Sequence, residues 1–316
     1  MNLFLNIFIF FTFILIFPSY ASGQITFDAN GKWETTFDYP SECAQRGYDD
    51  QPNCGTVSND GIQWNAGAGH RTSSNTYTRA VADANYPGGG GGLGARFWNY
   101  DGHNNHSGTV GVYFPSPQKE LWIRWYMRYQ EGFQWRSSEG GTLHQIAFNK
   151  TFIMRTGASG ADMVPGVLNG FHLRVQGEPG HSIYFNNGGW DDTFGPGTSD
   201  GEWYCFEIYM KMGTSVGSAN GIMRWWVNGA LKAERTNIVW DNNNSTSHQG
   251  WTWFNFNENQ SYVSNADGPL GLDYAYIDYD DMVIYNQTPP NVDAHGNPFI
   301  GPLPPAPPWG LSIDVQ

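Results

Sequence analysis

Arginine and tyrosine recur at every second position of one apolar stretch, residues 120–130 (ELWIRWYMRYQ). Arg124, Tyr126 and Arg128 alternate there with apolar side chains, which is the period of a half-buried β-strand. Alternate residues on one face of a strand lie about 7 Å apart, so two guanidinium groups would flank a phenol. Such a face can hold an anionic or sugar-like ligand. The alternative is a solvated outer face on which the arginines stack on tryptophans.

A second stretch, residues 171–176 (FHLRVQ), has the same alternation. It predicts that His172, Arg174 and Gln176 share one face of a strand, opposite apolar residues. β-Elimination on a uronic acid needs a group that neutralises the C6 carboxylate, a base that removes the C5 proton, and an acid for the leaving oxygen. Arginine, histidine and tyrosine can fill these three roles.

We expect both stretches to lie in one sheet with residues 143–149 (LHQIAFN) and to form one cleft. Alternation in this third stretch leaves two possibilities, since either His144 faces the cleft or it is a core residue and Gln145 faces the cleft. The predicted catalytic residues are Arg124 and Arg174 for the carboxylate, His144 or His172 as base, and Tyr126 as acid. The predicted substrate-binding residues of this cleft are Arg128, Gln145 and Gln176.

Three tryptophans are candidates for stacking on sugar rings. Trp251 and Trp253 share one face of the segment 250–257 (GWTWFNFN), and Trp190 lies in a glycine-rich segment. Because tryptophan is more often buried in a core, each of the three could instead be a packing residue.

An acidic group near residue 280 is a candidate metal site. Asp280 and Asp281 follow Asp278, and Asp28 or Asp38 of the first predicted hairpin could join them. Carboxylate oxygens at this density suit calcium, with backbone carbonyls completing the shell. The alternative is an acidic turn or strand edge. We therefore predict a structural Ca²⁺ ion at Asp28, Asp280 and Asp281, and no organic cofactor.

Charge and the N-terminal segment restrict the partners. The formal net charge is −13 with only 16 Lys and Arg, so the chain has no broad basic face for nucleic acid. Residues 1–23 hold no charged side chain and are almost wholly apolar from Leu3 to Phe17, which predicts a secretory signal peptide rather than a retained membrane anchor. We expect a secreted extracellular or periplasmic monomer that does not associate with membranes after the signal is removed.

The three cysteines are compatible with export. Cys43 and Cys54 bracket a short polar segment and could form one disulfide, whereas Cys205 lies in a strand-like segment and is predicted to be a buried thiol.

Short segments rich in β-forming residues are separated along the chain by Gly, Ser, Pro and Asn, which predicts an all-β protein. Two packed antiparallel sheets, arranged as a jelly-roll sandwich, accommodate them. We assign residues 24–288 to the sandwich and the proline-rich residues 289–316 to an extended tail. The run Gly88–Gly92 lacks the following helix and lysine of a phosphate-binding loop, so we predict a mobile loop.

Three stretches resemble the concanavalin-A-like jelly-roll polysaccharide lyases and their secreted relatives: 120–129 (ELWIRWYMRY), 202–234 (EWYCFEIYMKMGTSVGSANGIMRWWVNGALKAE) and 276–286 (YIDYDDMVIYN). The resemblance implies that fold, a hairpin turn at Asn228-Gly229, and a closing strand whose acidic pair often serves a structural calcium. Alginate lyases of this architecture also have a Gln-x-His strand and a Tyr-x-Lys-x-Gly-x-Tyr strand. Here His144-Gln145 is adjacent and reversed, and the tyrosine pattern is absent.

The sequence thus predicts a protein that acts on an extracellular, acidic polysaccharide, most simply a lyase that cleaves a uronic-acid polymer by β-elimination. A lectin-like carbohydrate-binding module is one alternative, because aromatic platforms and amide groups suffice for it. A glycoside hydrolase of the same fold is the other, and it needs two carboxylates about 5 to 10 Å apart across a cleft. Asp278 and Asp280 are the same-face acidic pair for that role.

Overall fold

The computed structural model describes residues 24–38, 62–66, 78–100, 108–133, 149–150, 152–156, 162–168, 172–177, 181–184, 201–241, 243–256 and 274–303. The predicted signal peptide, Cys43, Cys54, His144, Gln145 and Trp190 lie outside these residues. Within the described ranges, no helix has the length and apolar character needed to cross a membrane.

Eighteen strands are described, together with two short 3-10 helices at Ala82–Ala84 and Ser247–Gln249. The strands are β1 (Lys32–Thr35), β2 (Ile62–Ala66), β3 (Thr78–Val81), β4 (Gly94–Tyr100), β5 (Gly108–Gln118), β6 (Glu120–Tyr129), β7 (Asn149–Lys150), β8 (Phe152–Thr156), β9 (Asp162–Leu168), β10 (His172–Gly177), β11 (His181–Tyr184), β12 (Tyr204–Lys211), β13 (Gly221–Val227), β14 (Ala230–Ile238), β15 (Trp251–Phe256), β16 (Tyr274–Tyr285), β17 (Asn291–Val292) and β18 (Pro298–Phe299).

Sixteen of these strands form two eight-stranded sheets. The back sheet has the order β14-β13-β12-β6-β16-β4-β3, with β1 paired to β16. The front sheet has the order β11-β10-β9-β8-β15-β5-β2, with β7 paired to β9. Neighbouring strands pair antiparallel in both sheets, for example β12 with β6 and β15 with β8. This confirms the predicted all-β, concanavalin-A-like jelly-roll sandwich.

The core lies between the two sheets, and aromatic rings fill it. Trp125 of β6 contacts Phe206 and Trp225 of its own sheet, and it also meets Phe152 at 5.5 Å and Phe254 at 6.3 Å between ring centroids from the front sheet. The other apolar positions of β6 belong to the same buried cluster. The predicted alternation of β6 is therefore confirmed, and its polar positions lie on the outer face of the back sheet.

The hairpin between β13 and β14 shows how a local sequence sets a register. Asn228 and Gly229 both have positive φ, 50° and 78°. These are the angles of a two-residue turn that matches strand twist, and Asn-Gly is its preferred sequence. The side chain of Asn228 also accepts a 2.8 Å hydrogen bond from the backbone of Cys205. Cys205 itself is a buried free thiol, as predicted.

Residues 291–303 do not form the extended tail that their proline content predicts. This segment, here called the strap, contains the short hairpin β17–β18 and lies across the outer face of the back sheet. Ile300 and Phe299 pack there against Trp122 and Trp226. The described part of residues 289–316 thus packs onto the sandwich and covers one of its faces.

The glycine run is fastened to the back sheet by two aspartates. The backbone N–H of Gly90 donates to Asp281 at 3.1 Å, and the N–H of Gly92 donates to Asp38 at 2.8 Å. A Cβ atom on Gly89 would lie 1.4 Å from the Oδ2 atom of Asp281. The run is therefore a carboxylate-bound loop in which some positions have no room for a side chain.

We expect Gly89→Ala to lower the free energy of unfolding by about 1 to 3 kcal/mol, because the new methyl group displaces a buried carboxylate. Gly92→Ala is the matched control, since nothing lies within 4 Å of its Cβ position. That control should change stability by less than about 0.5 kcal/mol. Urea unfolding of both variants measures the difference, and equal losses would contradict the packing described for Gly89.

Candidate functional site

The strap covers the two back-sheet residues for which the sequence predicted catalytic roles. Arg124 is 5% exposed, and it donates to the carbonyl oxygens of Gly301 at 3.2 Å and Asp281 at 3.3 Å. The hydroxyl of Tyr126 accepts a 2.6 Å hydrogen bond from the N–H of Leu303, and burial raises the pKa of Tyr126 well above its usual range. Neither side chain is presented to a substrate, so these two assignments are corrected: both residues hold the strap.

Arg128 also has a structural partner. Its guanidinium binds the carboxylate of Asp278 at 2.8 and 2.9 Å and lies over the ring of Trp203, 4.9 Å from the centroid. Arg96 binds the same carboxylate at 2.7 and 3.0 Å from the other side. Asp278 is fully buried between the two arginines. The predicted role of Arg128 in substrate binding gives way to an ion pair within the back sheet.

Asp278 and Asp280 do not form a hydrolase pair across a cleft. Both are fully buried, and Asp280 accepts hydrogen bonds from the backbone N–H groups of Tyr86 at 2.6 Å and Asp281 at 2.8 Å. Burial raises the pKa of Asp280 to about 8. This arrangement stabilises the bend of β16 and leaves neither carboxylate accessible.

The predicted calcium ligands have protein partners as well. Asp28 is exposed, and it accepts hydrogen bonds from the backbone N–H groups of Asn30 and Lys32. These two hydrogen bonds hold the first turn. Asp281 accepts the N–H of Gly90. No group of three or more His, Cys, Asp or Glu side chains that could hold a metal ion is found within the described residues. The calcium ion stays a prediction from the sequence.

Glu207 of β12 is a buried acid that lies beneath the strap. It is 2% exposed, and its two carboxylate oxygens accept the N–H groups of Ile300 at 2.6 Å and Gly301 at 2.9 Å. Burial raises its pKa to about 7, against the opposing effects of those hydrogen bonds and of Arg124. The alternation of β12 gave no sign of this role, because the strap is nearly a hundred residues away in sequence.

We expect the free energy of unfolding to fall between pH 5 and pH 8. Because the pKa of Glu207 is raised in the folded state, folding favours its protonated form. The contribution of Glu207 to the free energy of unfolding is therefore complete below the ordinary pKa of 4.5 and is lost as the pH rises through about 7. Arg124 and Asp293 are the charged groups beside it. Asp280, with a pKa near 8, acts in the same direction.

Urea unfolding of the wild type and Glu207→Gln at both pH values measures this effect. Because glutamine does not titrate, the difference in stability between pH 5 and pH 8 should shrink by about 3 kcal/mol in the variant. A variant that keeps the full difference would show that Glu207 does not titrate in this range.

The residues that were expected to form one cleft, from residues 120–130 and 171–176, do not lie in the same sheet. β6 lies in the back sheet and β10 lies in the front sheet. The expectation of one cleft built from Arg124, Arg128, His172 and Arg174 is therefore wrong. The strand order depends on pairings between distant segments, which the alternation within a strand does not encode.

A bulge in β15 places Trp251 and Trp253 on opposite faces of the front sheet. The pairing of β15 with both of its neighbours shifts register between these two residues. Trp251 is fully buried and packs edge-on against Trp240 in the core, so it is not a sugar platform. Trp253 lies on the outer face, and the expectation that the two share a face is corrected.

Trp253 joins two polar neighbours on the outer face of the front sheet. Its register partners are Arg155 on β8 and Tyr113 on β5. The Arg155 guanidinium lies 4.7 Å from the Trp253 ring centroid, and the Tyr113 ring stacks at 5.7 Å. Arg155 and Tyr113 are half-buried, and Trp253 is buried between them with 7% of its surface exposed. This row presents a guanidinium and a phenol on either side of an indole.

Cross-strand register assigns β10 to the same face. Arg155 is paired with Asp162, the first residue of β9. Because directly paired residues share a face, the even-numbered positions of β9 lie on the outer face, and their partners in β10 do as well. Those partners are His172, Arg174 and Gln176, opposite Leu168, Gly166 and Val164. The three predicted positions of β10 therefore lie on the outer face of the front sheet.

Tyr184 is a position that the sequence analysis missed. It is the register partner of Arg174 on β11, while Gly166 is the partner of Arg174 on β9. Directly paired positions have Cβ atoms about 5 Å apart. The alternation of residues 181–184 could have shown a strand, but only the pairing identifies Arg174 as its neighbour.

Comparisons with known proteins give fold-level likenesses. No protein-family model matches the chain, and no curated protein matches it significantly. Among solved structures, an alginate lyase, Aly36B, is 16% identical with a TM-score of 0.45 and covers 81% of this chain and 96% of its own. The cellulose-induced protein Cip1 is 15% identical with a TM-score of 0.43, covering 67% of this chain and 86% of its own. The PL-14 alginate lyase of Aplysia kurodai is 10% identical with a TM-score of 0.34, covering 66% and 86%. At these TM-scores the likenesses carry no functional argument.

Proposed function

We propose that the chain binds a uronic-acid-containing polysaccharide on the outer face of the front sheet and cleaves it by β-elimination. The observation that supports this most is the register around Arg174, which has Gly166 on one side and Tyr184 on the other. His172 and Gln176 occupy the same face of the same strand, each about 7 Å from Arg174. The positions of His172, Arg174, Gln176 and Tyr184 thus belong to one small area of one face.

Each of these residue types fits one step of the elimination. Arg174 would neutralise the C6 carboxylate and so lower the pKa of the C5 proton, since an arginine fork matches carboxylate geometry. His172 would remove that proton as the base, and Tyr184 would protonate the leaving oxygen. Tyr184 takes the acid role that the sequence analysis gave to Tyr126. Gly166, which has no side chain, would leave room for the sugar ring.

The row formed by Arg155, Trp253 and Tyr113 would bind sugar residues farther along the polymer. The half-buried Tyr113 ring suits the apolar face of a sugar and the Arg155 guanidinium suits a carboxylate, while the buried Trp253 indole packs against both. An acidic chain with a net charge of −13 needs local positive groups where an acidic polymer binds. Arg155 and Arg174 supply two such groups on one face.

A non-catalytic carbohydrate-binding protein is the second candidate. The Arg155–Trp253–Tyr113 row favours it, because a half-buried phenol and a half-buried guanidinium packed on a buried indole could bind a sugar acid without catalysis. A glycoside hydrolase is less well supported, since Asp278 and Asp280 are fully buried.

Incubation of the purified chain with alginate, glucuronan, heparin-type and pectic polymers tests the proposal. The expected result is growing ultraviolet absorbance from the unsaturated product with at least one uronate polymer. New reducing ends without absorbance would contradict elimination and support hydrolysis. Retention on a polymer gel without either signal would contradict catalysis and support the non-catalytic carbohydrate-binding protein.

Secretion, removal of residues 1–23, a monomeric state and a structural calcium ion also belong to this proposal. N-terminal sequencing of the protein exported by an expression host tests the signal peptide. An intact Met1 on the exported protein would contradict it.

A further inference from the structure

Four of the side chains beneath the strap bind its main chain. Trp122 donates its indole N–H to the carbonyl oxygen of Pro298 at 3.0 Å. Glu207 accepts two backbone N–H groups, Arg124 donates to the carbonyl oxygen of Gly301, and Tyr126 accepts the N–H of Leu303. Four buried side chains of the back sheet thus bind five backbone groups between Pro298 and Leu303. Contacts to backbone groups hold this segment in one conformation, with a positive φ of 80° at Gly301.

Two further contacts give the strap a defined position. The indole N–H of Trp226 donates to Asp293 at 2.9 Å, and the same carboxylate organises the β17–β18 turn by accepting the N–H groups of His295 and Asn297. Six residues later, the rings of Phe299 and Trp226 lie 6.1 Å apart. The strap therefore combines an acidic anchor, a preformed turn and an aromatic-aliphatic pair.

The segment that joins the strap to the sandwich is accessible. Gln287, Thr288 and Pro290 are exposed and only Pro289 of this segment is buried, and the segment follows the last residues of β16. The described polar contacts of the strap with the back sheet are made by side chains of the sheet or by Asp293, not by a continuous ladder of backbone pairs. The strap is thus positioned as a ligand would be, through contacts that do not depend on its covalent link.

We propose that the outer face of the back sheet is a peptide-binding groove, occupied in this chain by its own residues 291–303. The groove is lined by Trp122, Arg124, Tyr126, Glu207 and Trp226. The peptide that fits it has an aspartate followed, six to eight residues later, by an aromatic residue, an aliphatic residue and glycine. This site is on the opposite sheet from the proposed polysaccharide site and does not depend on it.

Cleavage of the joining segment in the full chain tests the groove. Residues 287–290 are replaced by a specific protease sequence, the folded protein is cut, and size-exclusion chromatography follows the released fragment. We expect the fragment to co-elute with the sandwich and to exchange with a fluorescent peptide of residues 289–303. A sandwich that unfolds on cleavage would overturn the proposal, because the strap would then be an integral part of the fold. Loss of the fragment without uptake of the peptide would overturn it as well.

Peptide variants test the mode of recognition. The Asp293→Ala peptide loses the bond to Trp226 and the turn that Asp293 organises, so it should compete at least about tenfold less well. The His295→Ala peptide is the matched control, since His295 is exposed and contributes its backbone N–H to the turn. It should compete within about twofold of the natural peptide. Equal competition by both variants would contradict the assigned anchor.

Discussion

Arg174→Ala is expected to lower kcat/KM for elimination by about 100- to 1000-fold, the usual effect of removing one preorganised group that stabilises developing charge. The negative charge of the C6 carboxylate increases as the C5 proton leaves, so a cation beside it acts mainly in the transition state. Arg174→Lys should recover only part of the rate, because an ammonium does not reproduce the two parallel hydrogen bonds of a guanidinium. Initial rates from product absorbance, measured with the polymer that the wild type cleaves, give both values.

Arg224→Ala is the matched control for the loss of one positive charge. Arg224 lies on the outer face of the back sheet, where it binds Glu234 at 2.5 Å and stacks near Tyr209. The control should retain activity within about twofold, since Arg224 belongs to the back sheet and the proposed site belongs to the front sheet. If Arg174→Ala and Arg224→Ala had the same activity, β10 would not hold the catalytic cation.

Asp278→Ala is expected to give the largest loss of stability, about 3 to 5 kcal/mol, because it leaves two guanidinium groups without their shared buried partner. The carboxylate of Asp278 makes bidentate contacts with Arg96 and further bonds with Arg128. It also joins β4, β16 and β6 at the centre of the back sheet. Urea unfolding measures the loss.

Glu34→Ala is the control for this prediction. The Lys32–Glu34 pair has a short distance of 2.6 Å, but both side chains are substantially exposed. Its removal should change stability by less than about 0.5 kcal/mol. A small effect for Asp278→Ala would mean that the two arginines find other partners, and the network would then not hold the three strands together.

Local patterns in the sequence predicted the strands and part of the site. The alternation of residues 120–130 identified both faces of β6, and that of residues 171–176 identified His172, Arg174 and Gln176 as one face of β10. The resemblance implied the hairpin turn at Asn228-Gly229, and the positive φ angles of both residues confirm it. These features depend on side chains two or three positions apart, which the sequence displays directly.

The open face of each sheet could not be predicted in the same way. Arg124 and Tyr126 have the alternation of a ligand-binding strand, but each is covered by strap residues 177 positions away. Their partners are backbone groups, which leave no residue-specific sign in a sequence. The proline content of the strap even favoured an unpacked tail.

Trp251 and Trp253 show a second limit of periodicity. Strict alternation gives two residues at i and i+2 the same face, but the bulge in β15 inserts one extra position between them. Likewise, β10 belongs to the front sheet because it pairs with β9 and β11, which its own sequence does not show. The role of Arg174 stays a prediction. Its register partners are Tyr184 and Gly166, whereas the expected neighbours Arg124 and Tyr126 lie in the other sheet.

A crystal structure of the His172→Ala chain with a bound oligouronate tests the central claim most directly, because loss of the base should preserve the ligand intact. The account predicts a chain of sugar residues over the outer face of the front sheet, with one carboxylate at Arg174 and rings near Trp253 and Tyr113. An oligouronate bound instead to the back sheet, or at an edge remote from β10, would contradict the account.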